Sequence, residues 1–307
     1  MTDSGLSGLR GPRVDVVERA GRPWSAQLKD GYHFLHRRGE GGEVDAFDGG
    51  FVFFQARSAA EDGGENDDRG GGEERLALFP LGVFNDADLE KFTATMKGAI
   101  YRNSGQDCTA ATRIYAHDSI KDEVVERVSH IANSMVIGNG FVDPSVEMGP
   151  VVSQRQQEVV AGFVDRARAT GHIRVAAGGN RPDLNGAYYS PTVVTNVRQD
   201  DEIVQEEIFG PVVSVSSFST DEEAVAKANG VAYGLAASVW TKDVDRALVS
   251  SALIEAGTVW VNDHGPTTAE MPFGGYKQSG VGRDLSIHAI EEHMHLKHVA
   301  ISHGRAL

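Results

Sequence analysis

Cys108 is the only cysteine in the 307-residue chain, within Asn103-Ser104-Gly105-Gln106-Asp107-Cys108-Thr109. A lone cysteine forms no internal disulfide, so its thiol is free to pack as a small hydrophobe or to react. Its neighbours favour reaction. Gly105 permits a tight backbone, Gln106 and Asp107 are polar, and the small residues Thr109, Ala110 and Ala111 follow. Such a turn presents a sulfur. Once local dipoles or charge lower its pKa, a thiolate there is a strong nucleophile.

Three further stretches carry groups that do chemistry. Gln205-Glu206-Glu207-Ile208-Phe209-Gly210-Pro211 puts two acids and an aromatic before a Gly-Pro turn, which also suits a solvated acidic loop. Met271 to Asp284 (MPFGGYKQSGVGRD) is glycine-rich with two cations. Backbone N–H groups could cradle a phosphate there, but no Walker spacing is present, and a close-packed loop serves equally. His288, His293, His295, His298 and His303 cluster near the C-terminus. No cysteine or well-spaced carboxylate completes a metal site with them, so surface histidines are expected and no metal is assigned.

Elements of alternating type must position these groups. Asp86 to Tyr101 reads as a helix with Leu89, Phe92, Met96 and Ala99 along one side. Thr112 to Ala116 reads as a strand and Asp118 to Asn133 as a helix. Ser153 with Gln156, and Thr220 with Glu223, have capping-box spacing at helix starts. Val212 to Phe218, Ala236 to Trp240 and Thr258 to Asn262 read as strands, and Asp243 to Glu255 as a helix ended by Gly257. The alternation predicts an α/β fold with a mostly parallel sheet flanked by helices.

Composition narrows the partners. Hydrophobic content of 40% and charged content of 24% suit a globular protein. A net charge of −15 repels phosphate backbones, which argues against nucleic acid as a partner. No apolar run is long enough to span a bilayer, so no membrane association is expected. The start, Met1-Thr2-Asp3-Ser4, lacks a secretory n-region and h-region, and with one cysteine this points to the cytoplasm. The first eighty residues hold fifteen of the 36 glycines, and Glu61 to Glu74 (EDGGENDDRGGGEE) is almost wholly glycine, acidic and polar. A low-complexity, largely disordered segment is expected over residues 1–81.

Together the motifs resemble the aldehyde dehydrogenase superfamily. The resemblance rests on Val83-Phe84-Asn85-Asp86-Ala87-Asp88-Leu89, the Cys108 turn, Glu206 to Pro211, and Pro272 to Gly280 with Gly282-Arg283, in family order over residues 82–301. Trp260-Val261-Asn262-Asp263-His264 and Glu270-Met271-Pro272 look most like the aminobutyraldehyde and betaine aldehyde branch. The resemblance implies that Cys108 is the nucleophile, its backbone N–H an oxyanion donor, and the substrate a small aldehyde oxidised to the acid with NAD or NADP through a thiohemiacetal and a thioester. It implies that Glu207 holds the nicotinamide ribose and that Phe209 packs near the nicotinamide. Asn262 would open the loop lining the substrate mouth, and Asp284 would be an acid near the deacylation path. His295 to Ile301 would be a C-terminal strand for homo- or hetero-oligomer pairing.

Residues 1–82 contain no counterpart of the family's nucleotide-binding domain, of the Pro-Trp-Asn segment with the second oxyanion donor, or of the Glu-Leu-Gly-Gly-Lys segment with the general base. The expectation is a catalytic domain behind a replaced N-terminal segment, impaired in turnover. The alternatives are an inactive remnant that serves as an interaction module for a full-length relative, and a residual cysteine esterase.

Overall fold

The computed structural model describes residues 15–17, 23–29, 32–37 and 80–300. They fall into two compact units, the first ending before Gly71. In the first, β1 (Asp15–Val17), β2 (Pro23–Lys29) and β3 (Tyr32–Arg37) form an antiparallel sheet in the order β1-β2-β3. The sequence shows no strand period over this stretch, yet β2 and β3 pair in register from Trp24↔Arg37 to Lys29↔Tyr32. The Gly/Asp/Glu-rich run expected to be disordered lies outside the described residues.

The second unit is a seven-stranded sheet built from β4 (Pro80–Val83), β5 (Arg113–His117), β6 (Arg174–Ala177), β7 (Thr192–Thr195), β8 (Val212–Phe218), β10 (Ala236–Trp240) and β11 (Thr258–Val261). Strand order is β11-β10-β4-β5-β8-β7-β6. All pairings are parallel except β6 with β7. β4 spans residue 82, where the sequence marks the start of the family resemblance, and it lies between β10 and β5.

Side chains alternate between the two faces of the sheet. Leu81, Val83, Ile114, Ala116, Val213, Val215 and Trp240 meet α1 (Leu89–Tyr101) and α2 (Lys121–Ser134) through Phe92, Met96, Val124 and Val128. Tyr115, Phe218, Ala237 and Val239 meet Ala224 and Ala228 of α5 (Asp221–Asn229). β8 and β10 have the bounds the sequence predicts, although β8 carries three serines among its seven residues.

Helix starts lie further along the chain than expected. α1 begins after Asp88, whose carboxylate accepts from the Lys91 N–H. Asp86 lies outside the helix and ties the end of β10, accepting from the Thr241 hydroxyl and the Lys242 and Asp243 N–H groups. Ser153 caps α3 (Gln154–Ala169) and Thr220 caps α5. Neither box closes reciprocally: Glu223 accepts from the Ser219 N–H, and Gln156 reaches elsewhere. α6 (Val244–Leu253) stops before Gly257, which is not its cap. A Cβ on Gly257 would overlap the Gly274 carbonyl, so this glycine permits a close backbone approach.

Candidate active site

The Cys108 turn precedes β5, and the Glu207–Phe209 loop precedes β8. Both therefore lie at the amino edge of the parallel sheet, opposite to the carboxyl-end crevice usual for open α/β sheets. Gly105 joins them. Its φ of +70° is left-handed, and a Cβ there would overlap the Gly210 carbonyl.

The turn is closed by its own side chains. Arg102 to Gly105 is a single 3-10 turn with Asn103 and Ser104 in left-handed conformation. Asn103 donates to the Gln106 carbonyl at 2.7 Å, and Gln106 Oε1 accepts from the Val152 N–H at 2.9 Å. Ser104 donates to the Gly149 carbonyl at 3.0 Å. Asp107 Oδ1 accepts from both the N–H and the hydroxyl of Thr109, at 2.8 and 2.7 Å, while its Oδ2 pairs with Arg102.

Cys108 is half-buried and packs on the apolar cluster of Leu235, Ala236 and Trp260, as does Phe273. Burial, followed by the negative charges of Asp107 and Glu207, pushes its thiol above the usual cysteine range. This differs from the lowered pKa that would activate it. Beside the turn is a cavity of about 350 Å³ whose lining includes Thr95, Arg102, Asp107, Thr109 and His264.

The loop before β8 is held by groups whose roles the sequence did not reveal. The Gln156 amide donates to the Ile208 and Phe209 carbonyls at 3.0 and 2.9 Å. Phe209 itself is left-handed, with φ +51°. Glu207 is half-buried, and its charge acts on both Cys108 and Arg113. Arg113 is 1% exposed and donates to the carbonyl of Val204, in the short helix α4 (Glu202–Gln205), at 2.8 Å. Burial lowers its pKa to about 10, so it remains a cation at neutral pH.

The other two expected site residues are placed apart from this constellation. Asn262, at φ +53°, accepts from the Thr241 N–H and donates to the Thr241 carbonyl, fixing the end of β11. Asp284 is exposed; its backbone pairs with Phe273 and its carboxylate accepts from the Leu285 N–H. The glycine-rich stretch between is a packed loop. Lys277 donates to the Asn229 carbonyl and pairs with Glu255, and Arg283 donates to the Gly275 and Gly282 carbonyls. Within it β12 (Tyr276–Lys277) pairs with β9 (Tyr233–Gly234). His293 follows α7 (Ser286–Glu292), and the described residues 294–300, where the resemblance implies a C-terminal strand from His295, form no strand. Among the described residues no helix is long and apolar enough to cross a membrane.

The aldehyde dehydrogenase family profile matches residues 78–299, and the chain belongs to that family. It is 40% identical over 221 residues to the betaine aldehyde dehydrogenase of Bacillus subtilis (strain 168), an alignment covering 71% of this chain and 45% of that protein. A point mutant of the Staphylococcus aureus betaine aldehyde dehydrogenase, solved with NAD+ and a BME-modified cysteine, superposes with a TM-score of 0.72 at 39% identity. That match covers 76% of this chain and 48% of the other. An NAD+ complex of an aldehyde dehydrogenase from Bacillus cereus gives a TM-score of 0.68 at 41% identity, over 70% of this chain and 44% of the other. The chain thus spans about half the length of the relatives it matches.

Proposed function

We propose that this chain carries the thiol half of an NAD(P)-linked aldehyde oxidation, with Cys108 as nucleophile and a small aldehyde, of the amino-aldehyde or betaine aldehyde kind, as substrate. The observation that supports this most is the close approach of Gly105 to Gly210. It puts the chain's only thiol beside the loop bearing Glu207 and Phe209.

In this reading the aldehyde enters beside Asp107 and Thr109. The Cys108 sulfur bonds to the carbonyl carbon, its proton passes to solvent, and the Cys108 N–H donates to the developing oxyanion. The apolar wall of Leu235, Ala236 and Trp260 keeps bulk water from the adduct. Glu207 suits the hydroxyls of a nicotinamide ribose: it is a half-buried carboxylate within the field of the Arg113 cation. Phe209 offers the ring beside it, and Gln156 holds both in place through the loop carbonyls. The bound nicotinamide would supply the hydride acceptor. Water then hydrolyses the thioester, and Asp284 is proposed to act on that path only after the exposed loop around it rearranges. Asn262 is proposed to act by shaping the loop after β11.

Residues 1–82 carry no segment matching the family's second oxyanion donor or its general base. The first loss alone slows acyl chemistry by about 10²–10³ and the second by about 10²–10⁴. Slow turnover is therefore expected of this chain alone. The test is NADH formation from betaine aldehyde or aminobutyraldehyde by the purified chain and its Cys108→Ala variant. A slow, Cys108-dependent signal agrees. No difference between the two proteins would overturn the reading, and fast turnover would overturn the impairment.

A second reading is favoured by one observation. Met294, Leu296 and Val299 are exposed on a stretch that belongs to no strand. This segment is proposed to pair with another chain, a second copy or a full-length relative.

A further inference from the structure

His264 is 9% exposed, and both ring nitrogens are engaged. Nε2 lies 2.7 Å from the Thr109 carbonyl oxygen, which only accepts, so Nε2 carries the proton. Nδ1 then presents a lone pair to the Ser238 hydroxyl at 3.1 Å. The Ser238 oxygen in turn accepts from the Trp240 indole N–H at 3.3 Å. The bonds run one way, from Trp240 through Ser238 and His264 to Thr109.

This chain ends one residue from the thiol. Asp107 already holds the N–H and hydroxyl of Thr109, and Arg102 holds Asp107. His264 pins the remaining polar group of Thr109, its carbonyl. The His264 ring also lies against Trp260, with centroids 4.8 Å apart, and Trp260 belongs to the apolar cluster on which Cys108 packs. The Trp260 indole N–H donates to the Pro266 carbonyl at 2.7 Å, which ties the loop after His264 to β11.

We propose that His264 is a positioning residue for the nucleophile: a neutral imidazole that holds the Thr109–Ala110 peptide, one residue after the thiol, in place through the Thr109 carbonyl. The proposal rests on Cys108 being the reactive thiol. The charged groups facing the ring are Asp107, Asp263 and Arg102. Burial dominates over the two carboxylates and keeps the ring neutral. A proton on Nδ1 would also leave the buried Ser238 hydroxyl without an acceptor.

Alkylation of Cys108 by iodoacetamide in the full chain reads this directly, because no other cysteine competes. It needs neither aldehyde nor nicotinamide, so it fails or succeeds separately from dehydrogenase turnover. Three variants are compared across pH: H264F keeps a ring against Trp260 and loses both hydrogen bonds, H264Q restores a donor at the Nε2 position, and S238A removes only the hydroxyl. The expected result is a change of about tenfold or more in the limiting alkylation rate for H264F, with a shifted apparent thiol pKa. H264Q should return to within a few fold of the parent at a similar unfolding midpoint. S238A should move the profile in the same direction by less, and it decides the matter if H264F does not fold. Profiles for H264F, or for S238A in its place, that match the parent would overturn the proposal. So would a Gln variant no better than Phe.

Discussion

At the scale of single residues, the site is a compromise between presenting a sulfur and shielding it. The cluster of Leu235, Ala236 and Trp260 shelters Cys108, and the charges of two carboxylates act on it. Its thiol is therefore protonated at neutral pH, and the thiolate fraction should keep growing through pH 9. We expect the Cys108 alkylation rate to rise about tenfold per pH unit from neutrality without levelling off below the ordinary thiol range. A plateau near neutrality, measured with iodoacetamide, would contradict this. Gly105→Ala meets both a left-handed backbone and the Gly210 carbonyl. It should cost about 1–3 kcal/mol in urea unfolding, and Cys108 alkylation should change with it. Cys108 was singled out by its residue type and turn, and Glu207 and Phe209 only through the family resemblance of their motif. Gln156, Arg113 and His264 were not. Their partners are backbone carbonyls 53, 91 and 155 residues away, and a carbonyl has no residue type to signal it.

At the scale of elements, what decided each boundary was where a polar group finds its partner. Ser153 and Gln156 have the spacing of a capping box, but only Ser153 acts on the helix. Two measurements separate them. Ser153→Ala should destabilise by about 1 kcal/mol through the end of α3 and leave the Phe209 loop in place. Gln156→Ala should cost about 1–3 kcal/mol by leaving two loop carbonyls without a donor, and should increase proteolytic nicking around Phe209. Equal nicking in both variants would show that Gln156 has no separate role. Val212–Phe218 was readable from its β-branched and aromatic residues just before the Thr220 cap, and its bounds and those of Ala236–Trp240 agree with the strands observed. β4 was harder: it is four residues long and opens with Pro80, a residue uncommon within central strands. The β2–β3 pairing had a signal in Asp30-Gly31, a dipeptide that favours two-residue hairpin turns, but glycine-rich surroundings obscured it.

At the scale of the whole molecule, the parallel sheet gathers the Cys108 and Glu207 loops at its amino edge, and the C-terminal residues 294–300 are exposed. Exposed apolar side chains at Met294, Leu296 and Val299 are unusual for a chain with nothing to pair with. Leu296→Asp should therefore shift the chain toward the monomer in sedimentation velocity without altering Cys108 alkylation. An unchanged mass would remove the pairing reading. The α/β class and layer order were legible because they follow from alternation. The amino-edge location was not, since it depends on which strand ends meet.

The central claim is that Cys108 bonds to an aldehyde carbon. Aldehyde occupying the thiol must slow its alkylation, so the direct measurement is the rate of Cys108 labelling by iodoacetamide at increasing betaine aldehyde or aminobutyraldehyde, followed by intact mass. The account predicts a saturable fall in rate with aldehyde, absent when the corresponding acid is used. A labelling rate independent of aldehyde, in chain that labels fully without it, would contradict the account.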